Sequence, residues 1–107
     1  MSNNYLEWIQ EWIAENCDGD WEHAQNFTIT TIDNPGWGVT VNLVGTILEG
    51  EQFATINEEK SDKDWFCCRV VNNQFLGDGG LRNLTNMLEI FINWAKSCKN
   101  KEDCGQA

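Results

Sequence analysis

The chain has 107 residues, 17 of them Asp or Glu and 7 Lys or Arg, for a formal net charge of −10. That length suits one domain with a single core and excludes two, while the acidity disfavours nucleic acid and anionic membrane as partners and favours a basic protein. The five cysteines are odd in number and follow no regular spacing, so a secreted disulfide framework is excluded and a cytoplasmic protein with reduced thiols is expected.

Charge is distributed unevenly. Through Glu59 there are 11 acids and no Lys or Arg; from Lys60 onward there are 6 acids and 7 bases, so the two parts carry −11 and +1. The first residues hold no basic stretch followed by an apolar run, and no segment has the length and apolarity needed to cross a bilayer. Six tryptophans supply ample core material, each worth roughly 4–6 kcal/mol gross by area when fully buried.

Tyr5, Leu6, Trp8, Ile9, Trp12 and Ile13 recur at helical spacing, and Asn4 followed by Glu7 has the form of a capping box, predicting a first helix over 6–16. Glu7, Glu11 and Glu15 form a like-charged row on its other face, which opposes the helix by roughly 0.2–0.5 kcal/mol per adjacent pair. Local stability did not select this row. A plain solvated face is the commoner explanation of such a row, but solvated faces usually mix signs, so the three glutamates are candidate contact residues. Residues 17–26 read as a loop, with Gly19 available for a left-handed residue at the helix end.

Phe27 to Ile32 is β-branched and aromatic, and Trp37, Val39, Val41 and Leu43 alternate with Gly38, Thr40 and Asn42; both segments predict strands. Asn34-Pro35-Gly36-Trp37 between them fits a type II turn, with Gly36 taking the positive φ. Thr46 to Leu48 and Gln52 to Ile56 are read as one interrupted third strand, and polar 57–63 as a loop. Trp65 to Val71 is a fourth strand, extended towards Phe75 through a bend at Asn72-Asn73. The run Gly77-Asp78-Gly79-Gly80 lacks the full glycine spacing and the lysine of a phosphate-binding loop, and is read as a flexible turn. Leu81, Leu84, Met87, Leu88, Phe91, Trp94, Ala95 and Cys98 then trace one face of a second helix. The expectation is one α+β domain over 1–98: an N-terminal helix, a four-stranded antiparallel sheet and a C-terminal helix, with both helices on one face of the sheet and a frayed polar tail over 99–107.

Leu6-Glu7-Trp8-Ile9, Cys17-Asp18-Gly19-Asp20-Trp21-Glu22-His23, Asp33-Asn34-Pro35-Gly36-Trp37, Asp64-Trp65, Phe75-Leu76-Gly77 and Phe91-Ile92-Asn93-Trp94, in this order, closely resemble the bacterial immunity protein 53 family. Ile13 and Gln25-Asn26 depart from the family pattern. The resemblance implies an antidote of a polymorphic toxin system, a small cytoplasmic protein that binds and neutralises a toxin; it implies no enzyme activity and no cofactor. Joined to the one-sided acidity, it implies a basic, nuclease-like toxin as partner. The candidate contacts are Glu7, Glu11, Glu15, Asp18, Asp20, Glu22, His23 and Asp33, with Trp37 as an aromatic anchor if exposed and a core or lid residue if not.

A different chemistry is open at Cys17 to His23, where Cys17, Asp18, Asp20, Glu22 and His23 are all competent ligands for a small metal-binding protein or enzyme. Zinc would need four convergent ligands and His23 is the single histidine; a calcium loop from Asp18 would place His23 where glycine belongs and Ile29 where the bidentate acid belongs. Cys17 follows a helix C-terminus among acids, which disfavours a thiolate nucleophile. Cys67 and Cys68 point to opposite faces of a strand and read as small core residues. Clustered carboxylates could serve acid/base chemistry, yet Asp and Asn in such loops more often form turns and caps. No metal site is assigned.

Overall fold

The computed structural model describes residues 4–17, 26–33 and 35–105, with side chains through Cys98. Helix α1 (Tyr5–Asn16) turns Ile9 and Trp12 into the core, as the apolar spacing requires. The expected capping box does not form: Asn4 makes no side-chain hydrogen bond to the helix, and the first turn is closed by the Trp8 N–H donating to the Asn4 carbonyl at 2.9 Å. Its last turn is held by Asn16 Nδ2, which donates to the Trp12 carbonyl at 2.8 Å.

Five strands follow: β1 (Phe27–Ile32), β2 (Gly36–Asn42), β3 (Ile56–Ser61), β4 (Asp64–Val71) and β5 (Gln74–Gly79), before α2 (Leu84–Gly105). They form one antiparallel sheet in the order β1-β2-β5-β4-β3, so the predicted four strands become five. Both helices cover the same face. Phe27 pairs with Val41 and Val41 with Phe75, so these three side chains share a face; Trp12 of α1 meets Phe27 and Phe91 of α2 meets Phe75, with ring centroids 6.3 and 5.1 Å apart.

Each departure from the sequence expectation has a local cause. Asn72 and Asn73 both take positive φ, at 53° and 60°, which is the two-residue turn matched to strand twist; the bend expected there is a tight hairpin, and the fifth strand lies beyond it. The glycine run is no flexible turn but the end of β5, at the middle of the sheet. A Cβ on Gly77 would sit 3.0 Å from Met87 Sδ and one on Gly79 3.2 Å from Met87 Cε, so the missing side chains seat α2 on the sheet. Gly36 likewise shows no positive φ. It opens β2, where a Cβ would collide with the Gly79 carbonyl, so Gly36 does not take the turn position expected of it; Asn34 lies outside the described residues.

The third-strand expectation also fails in place. Residues 43–51 form successive turns closed by Thr46 N–H to Leu43 O, Glu49 N–H to Thr46 O and Glu51 N–H to Leu48 O, with Gly45 and Gly50 at positive φ. This segment drops Leu43 and Leu48 into the core, and Phe53 beyond it meets Phe75 and Trp94. The polar stretch expected to be a loop is the edge strand β3, formed by main-chain pairing with β4 although its middle is exposed. An edge strand buries little, so its sequence lacks the apolar signal of a strand.

Phe91, wholly buried, is the hub of the core. Its ring meets Trp8, Trp12, Phe27, Phe75 and Trp94 at centroid distances of 5.1–6.5 Å. Edge-to-face pairs of this kind each contribute about 0.5–1.5 kcal/mol beyond area burial. Where α2 begins, buried Asn83 accepts from the Trp65 N–H at 3.3 Å and donates to Asp64 Oδ1 at 3.1 Å and Asn86 Oδ1 at 2.9 Å, locking the helix to the start of β4.

Candidate functional site

Alternation along α1 sends its aromatic residues inward and leaves its glutamates to solvent, so the acidic row is a by-product of the same period that builds the core. Glu7, Glu11 and Glu15 are exposed. Glu7 and Glu11 line a groove of about 650 Å³ between the two helices, with Tyr5 and Trp8 from α1 and Glu89, Asn93 and Lys96 from α2. Three carboxylates thus face one ammonium. Among the described residues the sole ion pair is Arg69 to Asp78 at 3.3 Å, so Glu7, Glu11 and Glu15 are not neutralised by a salt bridge.

The Tyr5 phenol is pushed above the ordinary range, first by loss of hydration and then by the neighbouring Glu89 carboxylate. The phenol therefore stays neutral at physiological pH. The Tyr5 and Trp8 rings beside three carboxylates suit a guanidinium, which can lie on an aromatic face while its N–H groups reach acids.

The structure gathers the predicted contacts only in part. Glu7 and Glu11 come together, and Glu15 continues the row beyond the groove. Asp33 lies exposed in the loop between β1 and β2, the length of a six-residue strand from Phe27, or about 20 Å. Trp37 is half-buried at the start of β2, its Nε1 donating to the Leu81 carbonyl at 2.9 Å. Asp18, Asp20, Glu22 and His23 lie outside the described residues. Sequence reasoning missed Glu89, Asn93 and Lys96, because only the packing of one helix on the other puts them beside Glu7 and Glu11.

Of the candidate metal ligands, only Cys17 lies among the described residues. Among the described residues no three His, Cys, Asp or Glu side chains gather in a way that could hold a metal ion. The Cys17 thiol donates to the Ile13 carbonyl at 3.3 Å. Cys67 and Cys68 face opposite sides of β4 as expected, Cys68 wholly buried and Cys67 half-buried. Burial pushes the Cys68 thiol up to about 12, which leaves it protonated and inert at neutral pH. No helix among the described residues is long and apolar enough to cross a membrane.

Searches of curated proteins and of solved structures found no match. A family model described as Immunity protein 53 matches residues 6–96, a span that contains both helices' core faces, all five strands and the groove acids. The chain belongs to the Immunity protein 53 family.

Proposed function

We propose that this protein is the antidote of a bacterial polymorphic toxin system and neutralises its cognate toxin in the cytoplasm by direct stoichiometric binding, without catalysis. The toxin is a basic, nuclease-like protein, and the contact surface is acidic. Family membership supports the antidote role. The mode of binding rests on one observation, the row Glu7, Glu11 and Glu15, which has no salt bridge among the described residues and is continued across the groove by Glu89. A field of one sign steers an oppositely charged partner and raises its association towards about 10⁸ M⁻¹s⁻¹ at low salt. The loop acids Asp18, Asp20, Glu22 and Asp33 add to that field by sequence position, and His23 and Trp37 are assigned to the margin of the contact.

The test is to mix the purified protein with the toxin domain encoded by the neighbouring gene. A one-to-one complex, loss of toxin activity and an association rate that falls steeply with ionic strength are expected. Neither complex nor protection would defeat the reading, and a salt-independent association rate would defeat its electrostatic half.

A further inference from the structure

The two edges of the sheet are managed differently. β3 carries Glu58, Glu59 and Lys60, and its register with β4 is interrupted between Glu59 and Ser61; charge and irregularity are the usual ways to keep a free edge from pairing with other chains. β1 has neither. Its sequence Phe-Thr-Ile-Thr-Thr-Ile contains no charge, proline or glycine, its register with β2 is unbroken, and its four middle residues are exposed.

The hydrogen-bond pattern identifies which groups that edge presents. The Asn42 N–H donates to the Asn26 carbonyl at 2.8 Å, which makes Asn26 and Asn42 a hydrogen-bonded pair. In an antiparallel ladder such pairs alternate with non-bonded ones. Thr28, Thr30 and Ile32 therefore bond to β2, while Phe27, Ile29 and Thr31 turn their N–H and C=O groups outward. Among the described residues no strand pairs with that side. The weak contact there is Thr30 Oγ1 donating to the Thr31 carbonyl at 3.4 Å.

We propose that the outer edge of β1 is a docking strand, pairing through the main-chain groups of Phe27, Ile29 and Thr31 with an extended, uncharged segment of the toxin that is flanked by basic residues. The inference rests on the toxin-binding reading and deepens it. Exposed backbone donors and acceptors fix the occupant's conformation, because only another strand satisfies an edge in register. Charge selects its chemistry. The strand is bracketed in sequence by Asp18, Asp20 and Glu22 before it and by Asp33 after it. A second copy of this chain on the same edge would bring together two chains of net charge −10. A basic-flanked strand meets no such repulsion.

The experiment is amide hydrogen exchange on the free protein and on its complex with an inactivated form of the toxin domain encoded by the neighbouring gene. The Ile29 and Thr31 amides are expected to exchange quickly when free and at least tenfold more slowly in the complex, whereas the Thr28 and Thr30 amides are protected in both. Thr31→Pro removes an outward N–H and leaves the ladder to β2 intact; it is expected to keep the fold and weaken toxin binding at least tenfold. A complex that forms without added protection at Ile29 and Thr31 overturns the edge proposal and leaves the antidote reading standing. Absence of any complex overturns both. Concentration-dependent protection of the same amides without toxin overturns the proposal in favour of self-pairing.

Discussion

The groove between α1 and α2 and a second groove beside β3 are of similar size and opposite character. The first sets Glu7, Glu11 and Glu89 against Lys96. The second, of about 680 Å³, sets Lys60, Lys63 and Arg82 against Glu58 and Asp64 over a floor of Ile56, Phe66 and Ile90. Both have a wall from α2, one near its middle and the other at its start. Two sites on one helix therefore carry opposite fields, so the net charge of −10 describes neither. The electrostatic reading belongs to a place on the molecule, and the groove beside β3 is its internal control.

The strongest way to break the comparison is to remove the shared wall. Phe91→Ala deletes the ring on which both helices and the sheet converge and is expected to cost about 3–5 kcal/mol, read as a shift of the denaturation midpoint; both grooves would be lost together. Asn83→Ala acts on one groove. It leaves the Trp65 N–H and the Asp64 carboxylate without their buried partner, at a cost of about 1–3 kcal/mol; hydrogen exchange should rise first at the start of α2 and leave the Tyr5 to Glu11 turns protected.

Charge reversal sharpens the contrast without touching the core. Glu7→Lys, Glu11→Lys and Glu89→Lys together should slow toxin association by about 10–100-fold at low salt, and the difference should shrink as salt is added. Lys60→Glu, Lys63→Glu and Arg82→Glu together should leave association equal or faster. Equal losses from both sets in stopped-flow measurements would show that the field has no preferred site. Smallest is Glu11→Lys alone. It turns two like-charged i, i+4 pairs into attractive ones and should raise stability by about 0.8–2 kcal/mol while slowing association, so thermal melting and binding move in opposite senses.

Legibility in the sequence followed burial. The faces of both helices and of β2 were readable because one side of each meets the core, and a period of 3.6 or 2 survives wherever burial is one-sided. β3 was unreadable because its Asn-Glu-Glu-Lys middle is solvated on an edge. Gly77 and Gly79 misled because their reason for being glycine is Met87, on a later helix. Asn72-Asn73 differs: paired asparagines between strands are a hairpin signal, and both take the positive φ of a tight turn rather than a bend. The acidic row was legible as a row, and its completion by Glu89 was not.

The chain by itself determined its charge asymmetry, its family, the identity of the apolar faces and the α+β class, since each depends on residue order within a helix turn or a strand. The tertiary structure alone decided which acids share a groove, which glycines admit a helix onto the sheet, and which strand keeps an open edge. Those are contacts between segments tens of residues apart, and local periodicity carries no record of which distant surface a side chain will meet.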